Sequence, residues 1–319
     1  MIFFEKVCKT FNHVHALKDF TLKIKEGETL VFLGKSGSGK TTALKLINRL
    51  LDPTSGTITI RGENILDLDP TQLRRNIGYA VQEIGLFPHM TVEENIAIVP
   101  KLLGWDRNKI NERVEELLLM MGLEPKKYRS RYPLKLSGGQ RQRIGVARAL
   151  AADPPIILMD EPFGALDPIT REEAQKEFIE FASKIKKTVV FVTHDLFEAM
   201  TIGDRIALID QGELVEVATP RAFVENPPSA FADEFLGQHR FQLSLVTKTI
   251  SQYIEHGSPS DTTHLHRLDP STTLLEALNI FKQTETKCLP VYSGPSYRGE
   301  LTKEKLLELL IDLLMKQPT

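Results

Sequence analysis

The sequence has few cysteines, a small net charge and no long apolar run. Its two cysteines, Cys8 and Cys288, lie far apart and form no disulfide framework, so we expect a reducing compartment. The formal net charge is -2, whereas domains that bind nucleic acids are usually basic, so we expect no nucleic-acid partner. No apolar run approaches the ~20 residues that span a bilayer. Glu5 and Lys6 interrupt the apolar start, so we expect no signal peptide.

The first two thirds of the sequence alternate short apolar runs with helical patterns. Residues 30–33, 156–159 and 188–192 are continuous apolar runs of strand length, typical of strands buried on both faces of a parallel sheet. Residues 41–51 and 170–185 have apolar residues at helical spacing. This alternation predicts an α/β fold.

Two segments depart from the alternation. Residues 92–151 are mainly helical and predict a helical subdomain inserted into the α/β unit. A proline-containing connector at 219–237 precedes a stretch with its own helix, strand and final helix. We therefore predict two domains, at 1–240 and at 241–319, of which the second is small and α+β.

A phosphate-binding loop follows the first apolar strand. Residues 34–41 read Gly-Lys-Ser-Gly-Ser-Gly-Lys-Thr, between a predicted strand and a predicted helix. Its glycines let backbone N–H groups turn toward phosphate oxygens, and the helix N-terminus adds its dipole. We expect Lys40 to reach the β and γ phosphates and the Thr41 hydroxyl to bind Mg²⁺. The predicted ATP-binding residues are Gly34, Lys35, Ser36, Gly37, Ser38, Gly39, Lys40, Thr41 and Thr42.

An acidic pair, Asp160 and Glu161, follows the apolar run at 156–159. In open parallel sheets, ligands bind outside the carboxyl ends of the strands. We expect Asp160 to help hold Mg²⁺ and Glu161 to polarise the attacking water. Such a pair on its own more often belongs to a solvated loop. Together with the phosphate loop it predicts hydrolysis of the nucleotide.

A second glycine-rich turn points to a family. The string Leu136-Ser-Gly-Gly-Gln140, followed by Arg-Gln-Arg, resembles the signature motif of ATP-binding cassette (ABC) ATPases, although a flexible linker has the same composition. The resemblance implies a P-loop ABC ATPase domain that works as a homodimer. In that pairing, the signature of one copy closes over ATP held by the phosphate loop of the other. The residues expected to contribute from the second copy are Ser137, Gly138, Gly139, Gln140 and Asp167.

The same resemblance assigns three more residues. Gln82 matches the Q-loop glutamine, and His194 matches the switch histidine near the γ-phosphate. Phe11 matches the aromatic that stacks on adenine, where the family more often has tyrosine. A lone histidine after a strand is more often structural, so the role of His194 depends on the resemblance. The implied catalytic residues are Glu161, His194 and Gln82, and the implied Mg²⁺ ligands are Thr41, Gln82 and Asp160.

Longer strings resemble bacterial importers of osmoprotectants. Residues 74–79, 84–90, 103–105 and 160–171 are similar to the ATPase subunits for glycine betaine, carnitine or choline, and parts also occur in methionine, polyamine and sulfate importers. The resemblance implies a peripheral protein on the cytoplasmic face of the bacterial inner membrane. Its partners would be integral permease subunits and, indirectly, a substrate-binding protein. A soluble ABC ATPase acting on nucleic acid or ribosomes is the rival class, but the chain has neither long coiled coils nor a second cassette.

Two further segments have predicted partners. Phe87 and Pro88 lie between the sheet and the helical subdomain, where they belong either to a groove for a permease helix or to ordinary core. Residues 268–278, 287–292 and 298–302 resemble one cystathionine-β-synthase-type (CBS) repeat. Because a single repeat leaves one face uncovered, we expect this regulatory or dimerisation domain to pair with its counterpart in the second copy.

Overall fold

The computed structural model describes residues 1–81, 85–164, 166–184, 187–227, 229–255, 266–284 and 286–315, without the side chains of 168, 169 and 180–184. The chain forms two compact units, Met1–Ala218 and Thr219–Thr319. The strands of the first unit are β1 Ile2–Phe11, β2 Val14–Ile24, β3 Thr29–Leu33, β4 Ser55–Ile60, β5 Glu63–Asn64, β6 Ile77–Ala80, β7 Ile156–Asp160, β8 Thr188–Thr193, β9 Arg205–Asp210 and β10 Glu213–Ala218. Its helices are α1 Lys40–Ile47, α2 Pro70–Arg75, α3 Val92–Leu102, α4 Arg107–Met120, α5 Pro125–Tyr128, α6 Gly138–Leu150, α7 Pro168–Lys184 and α8 Leu196–Ile202.

The larger sheet of the first unit is the parallel sheet that the sequence predicts. Its strand order is β10-β9-β3-β8-β7-β6, and only the edge strand β10 runs antiparallel to its neighbour. Every residue of β3, β7 and β8 is buried, as the continuous apolar runs indicate. The carboxyl ends of these three strands therefore meet at one edge, which is where an open parallel sheet binds ligands.

A second, antiparallel sheet with the order β2-β1-β4-β5 covers α1 from the other side. No pattern noted in the sequence predicts this second sheet. Phe4, Phe20 and Phe32 link the two sheets through edge-to-face ring contacts, with centroids 5.4 Å and 6.2 Å apart. Leu44 and Ile47 of α1 lie fully buried in the same core. This packing fixes the start of α1 relative to both sheets.

The helical subdomain predicted at 92–151 consists of α3 to α6. Helix α6 packs against α3, α4 and α7 and against strand β6. Thr91 and Glu94 form a capping box at the start of α3, and Ser137 and Gln140 form another at the start of α6. The local sequence thus determines where both helices begin.

The second unit contains α9 Pro220–Glu225, α10 Ala230–Leu236, α11 Arg240–Thr247, α12 Leu274–Thr284, β11 Cys288–Ser293, β12 Ser296–Thr302 and α13 Lys303–Met315. The division at 218/219 differs from the boundary predicted near residue 240. The reason is that α11 packs on both α9 and α12, and Arg240 donates hydrogen bonds to the Val224 carbonyl and to Asp233. Within the described ranges, no helix combines the length and the apolar composition that crossing a membrane requires.

Candidate nucleotide-binding and hydrolysis site

The phosphate loop connects β3 to α1 in a tightly constrained turn. Gly39 precedes the helix at φ 109°, and a Cβ atom there would lie 2.6 Å from the Ala16 carbonyl oxygen of β2. A side chain is therefore excluded by both backbone strain and contact. The Ser38 carbonyl accepts a hydrogen bond from the Gly212 N–H at 2.9 Å. The loop is thus held between β2 and the β9–β10 turn, while Lys35, Ser36 and Gly37 remain exposed.

Lys40 lies buried at the start of α1, and its ammonium group points back into the loop. Its Nζ donates to the carbonyl oxygens of Gly34 and Lys35, at 2.8 Å each. An ammonium group has three donors, and among the described residues the third has no partner. Burial lowers the pKa of Lys40, whereas the neighbouring carboxylates of Glu161 and Asp160 raise it. This geometry suits a lysine that completes its coordination with an anion such as phosphate.

The Thr41 hydroxyl and the Asp160 carboxylate lie in contact near Lys40, although the two residues are far apart in the sequence. Thr41 Oγ1 donates a hydrogen bond to Asp160 Oδ1 at 2.8 Å. Burial raises the pKa of Asp160, and the Thr41 hydrogen bond opposes that rise. Hydroxyl and carboxylate oxygens are the donors that Mg²⁺ prefers, and a cation would offset the cost of burying the carboxylate. These residues therefore fit Mg²⁺, and half-buried Thr42 follows them in the first helical turn.

The predicted catalytic glutamate and histidine lie next to each other, just after strands β7 and β8. Glu161 follows β7 at φ 44°, and its N–H donates to the Val192 carbonyl of β8 at 3.0 Å. Glu161 Oε2 and His194 Nδ1 lie 3.2 Å apart. The Glu161 side chain is 20% exposed and the His194 side chain 61% exposed, so both face the open edge of the sheet. A carboxylate beside an imidazole at this edge can orient and deprotonate water.

Phe11 ends β1 and lies on the hairpin that borders the loop. It pairs with Val14, two residues before the Ala16 carbonyl that approaches Gly39. The ring is 41% exposed, and the Lys9 ammonium lies 5.0 Å from its centroid. Phe11 is therefore an exposed aromatic residue on the hairpin that borders the phosphate loop, where it is available for the predicted stacking on adenine.

The signature turn and Asp167, which are expected to contribute from the second copy, lie at the starts of helices α6 and α7. Ser137 is exposed at the N-terminus of α6, and its hydroxyl accepts a hydrogen bond from the Gln140 N–H at 3.2 Å. Helix α1 packs on β2, β7 and β8, whereas α6 packs on the helical subdomain and β6. A Cβ atom at Gly138 would meet no described atom within 4 Å, whereas one at Gly139 would lie 2.7 Å from Thr170. Asp167 is exposed and caps α7 by accepting from the Thr170 N–H at 3.1 Å.

Gln82 and Phe87, two residues singled out in the sequence, belong to the segment that follows strand β6. Gln82 itself lies outside the described residues. Phe87 is 43% exposed, so the interpretation as ordinary core is wrong. It lines a groove of about 430 Å³ together with Tyr79 and Arg148. The side chain of Asn95, which is fully buried, holds the backbone of this loop.

Sequence reasoning missed two polar residues close to these features. The Tyr79 hydroxyl lies 3.5 Å from Asp160 Oδ2. Burial, together with the Asp160 carboxylate, raises the pKa of Tyr79. The available signal was its place near the carboxyl end of β6, the strand that pairs with β7. Asn95 gave no such signal, because an asparagine at the fourth position of a helix is usually solvated.

Comparisons with known proteins agree with this geometry. A model of the ABC transporter family matches residues 17–164. The chain is 47% identical over 296 residues to the osmoprotectant import ATP-binding protein OsmV of Salmonella typhimurium, a match that covers 91% of this chain and 76% of that protein. It is 48% identical over 292 residues to the choline transport ATP-binding protein OpuBA of Bacillus subtilis, covering 91% and 75%.

Solved structures give the same result. The dimeric bacterial ABC transporter cassette MJ0796 is 38% identical with a TM-score of 0.63, covering 69% of this chain and 98% of that chain. A post-hydrolysis dimer of that cassette bound to ADP and Pi is 37% identical with a TM-score of 0.62 and the same coverage. With the phosphate loop, the acidic pair and the histidine at one sheet edge, the chain therefore belongs to the ABC transporter family, as an ATP-binding and ATP-hydrolysing member.

Proposed function

We propose that this chain is the ATP-hydrolysing subunit that energises import of a quaternary-amine osmoprotectant, such as glycine betaine, carnitine or choline, through a partner membrane permease. The observation that carries the proposal is the convergence of Lys40, Thr41, Asp160, Glu161 and His194 at one edge of the sheet. The substrate class is supported by relatives named for osmoprotectant and choline transport, each matched over 91% of this chain. The location that follows is the cytoplasmic face of the bacterial inner membrane, on the permease.

The nucleotide is held by the phosphate loop and by Phe11. In this proposal the residues 34–42 surround the phosphates, Lys40 neutralises the β and γ phosphates, and Phe11 stacks on adenine. Thr41 and Asp160 hold Mg²⁺, with Gln82 as the further ligand that the family pattern gives. Mg²⁺, when bound, would neutralise charge on the phosphate oxygens and so favour attack of water on the γ-phosphorus.

Hydrolysis is assigned to the pair of side chains at the open edge. Glu161 accepts a proton from water as the water oxygen bonds to the γ-phosphorus and the bond to the β–γ bridging oxygen breaks. His194, 3.2 Å from Glu161, lies where it can orient the γ-phosphate or the water. Gln82 is the third residue of this catalytic set. The products are ADP and inorganic phosphate.

A second copy of the chain completes each site. Ser137, Gly138, Gly139 and Gln140 contribute from that copy, together with Asp167. Two observations support this arrangement: Ser137 is exposed, and a Cβ atom at Gly138 would meet no described atom within 4 Å. The solved cassettes that resemble this chain are dimeric, which supports the same pairing.

The groove beside Phe87 is the proposed docking site for a cytoplasmic helix of the permease. Its backbone is preorganised, since Asn95 accepts from the Phe87 N–H at 2.8 Å and donates to three carbonyl groups of the same loop. A fixed loop lowers the entropic cost of binding a partner. The groove also adjoins Tyr79, which contacts the Mg²⁺ ligand Asp160, so docking and the ATP site are physically linked.

The tail at 241–319 is the proposed CBS-type repeat, with a regulatory or dimerisation role. Helix α12, the hairpin β11–β12 and helix α13 enclose one small apolar core. On the outer side of α13, Leu307, Ile311 and Leu314 are 47%, 59% and 51% exposed at helical spacing. The pairing of two cassettes brings two such tails into one assembly, so this apolar stripe pairs with its counterpart in the second copy.

The proposal is tested by purifying the chain with its permease and substrate-binding protein and reconstituting them in vesicles. ATP-driven uptake of labelled glycine betaine, carnitine and choline is measured beside methionine, a polyamine and sulfate. We expect uptake of at least one quaternary amine and none of the other three classes. Uptake of methionine, polyamine or sulfate without any quaternary amine would overturn the substrate class, and absence of uptake of all six would overturn the transport role.

A further inference from the structure

A buried carboxylate lies beneath the hydrolysis site and has no role in the mechanism above. Glu198, on α8, is 5% exposed. Its Oε2 accepts a hydrogen bond from Thr193 Oγ1 at 2.5 Å, and its Oε1 accepts one from Gln175 Nε2 of α7 at 2.9 Å. Burying a carboxylate is costly unless it is hydrogen-bonded. These bonds join the end of β8, the helix α8 and the helix α7 through one side chain.

One arm of this network reaches the catalytic histidine. Thr193, 2% exposed, immediately precedes His194, and its hydroxyl also accepts the Asp195 N–H at 3.0 Å. The backbone on both sides of His194 is therefore fixed by one hydroxyl that Glu198 holds. Thr193 also pairs with Leu33, the last residue before the phosphate loop. A shift of Glu198 would consequently displace His194 relative to the phosphate loop.

The other arm reaches the loop that carries Asp167. Arg171 lies one helical turn before Gln175 on α7, and its NH2 donates to the Leu166 carbonyl at 3.1 Å and the Gly164 carbonyl at 3.5 Å. The positive charge of Arg171 favours the ionised form of Glu198, which places the two groups in one electrostatic network. Arg171 Nε is buried and has no hydrogen-bond partner among the described residues.

We infer that Glu198, through Gln175 and Arg171, is a positioning residue that couples Leu166 and Asp167, just before α7, to His194. The inference rests on the proposed pairing of two copies, which places the Asp167 loop at their interface. Docking of the second copy on that loop is then transmitted through α7 to the histidine. ATP binding by the phosphate loop does not pass through these contacts.

Burial raises the pKa of Glu198, with the nearby Asp195 carboxylate acting in the same direction. The hydrogen bonds from Thr193 and Gln175 and the charge of Arg171 oppose that rise. The network therefore contains the groups that keep the buried carboxylate in place. Removing the amide of Gln175, which is half-buried, interrupts the path with less disturbance of the core than removing Glu198.

The test compares Glu198→Leu, Gln175→Leu and Glu198→Gln with the control Glu28→Leu. Glu28 is a buried glutamate, 7% exposed, at the opposite edge of the sheet, where it pairs with Arg205. Steady-state ATPase assays give kcat and KM, a fluorescent ATP analogue gives the dissociation constant, and thermal unfolding gives Tm. All measurements use the full chain with its permease.

We expect Glu198→Leu and Gln175→Leu to lower kcat by about 10-fold to 100-fold, with KM and the dissociation constant changed less than about threefold. Glu198→Gln should recover most of kcat, because its amide can accept from Thr193 and donate to a rotated Gln175 amide. Glu28→Leu should lower Tm but leave kcat within about threefold. An unchanged kcat in Gln175→Leu, or an equal loss in Glu28→Leu, would overturn the inference.

His194→Ala separates this inference from the proposed function. If His194→Ala abolishes turnover and Gln175→Leu does not reduce it, the coupling is wrong and the catalytic assignment stands. If His194→Ala turns over ATP at the parent rate, the catalytic assignment fails and the coupling inference fails with it.

Discussion

Replacing Asn95 by alanine should loosen the loop that carries Phe87 and leave the phosphate loop intact. The Asn95 side chain makes four hydrogen bonds to the backbone of residues 87–91, at 2.8 to 3.2 Å. Each such bond contributes about 0.5–1.5 kcal/mol net, and the amide shares two hydrogens among three acceptors. The freed groups lie near the surface and regain water. We therefore expect the free energy of unfolding to fall by about 2–4 kcal/mol.

The assay has two parts. Urea unfolding is followed by the fluorescence of Trp105, the single tryptophan of the chain, which lies between α3 and α4 in the helical subdomain. Permease-stimulated ATPase activity then tests coupling, with affinity for a fluorescent ATP analogue as the internal reference. The control is Asn111→Ala, which removes one hydrogen bond to Arg129 in the same subdomain. We expect Asn95→Ala to lose stimulation and keep ATP affinity, and Asn111→Ala to keep both.

An Asn95→Ala variant that unfolds within about 0.5 kcal/mol of the parent would refute the assigned hydrogen bonding. Full stimulation by the permease despite the predicted loss of stability would refute the docking role of this loop. A loss of ATP affinity equal to the loss of stimulation would show that the phosphate loop depends on Asn95.

Three further perturbations have expected outcomes. Lys40→Ala should weaken ATP binding by about 10-fold to 100-fold through loss of a charged hydrogen bond, measured by titration with a fluorescent ATP analogue; equal affinity would contradict the phosphate-loop assignment. Glu161→Gln should lower turnover at least ~100-fold and accumulate ATP-bound dimers on gel filtration, and unchanged turnover would remove its role as base. Ile311→Glu should raise the dimer dissociation constant, measured by light scattering, at least ~10-fold. The control Leu119→Glu changes a leucine of α4 that is 61% exposed and should leave the constant unchanged. Equal effects of the two changes would argue against tail pairing.

The elements proposed to bind the phosphates could be predicted from the sequence because their signals are local. Lys40 and Thr41 follow a buried strand and begin a helix, and both features are visible within a dozen residues of sequence. Asp160 is 119 residues from Thr41 in the chain. Its place beside Thr41 still followed from the rule that parallel strands end at one edge. The α/β fold and the helical subdomain were predictable for the same reason.

The remaining features depend on contacts that no local pattern records. The antiparallel sheet escaped prediction because irregular pairing between Phe4 and Val7, and again between Val7 and Lys9, breaks the alternation of β1. Helix α1 ends at Ile47, before the predicted residue 51, because Arg49 adopts a left-handed φ of 52°. Glu198 resembles a solvated helix residue in sequence, and its burial and its hydrogen bonds to Thr193 and Gln175 are visible only in the structure.

The proposed dimer is one in which each ATP site combines the phosphate loop of one copy with the signature of the other. Its most direct test mixes a Lys40→Ala chain with a Ser137→Arg chain, both carrying Glu161→Gln, and measures ATP retained by dimers after gel filtration. Head-to-tail pairing places both defects in one site of the mixed dimer and leaves its other site intact. We predict that the mixture retains nucleotide, up to one ATP per mixed dimer, while neither chain alone does. A mixture that retains no more than the two separate chains would contradict the shared site.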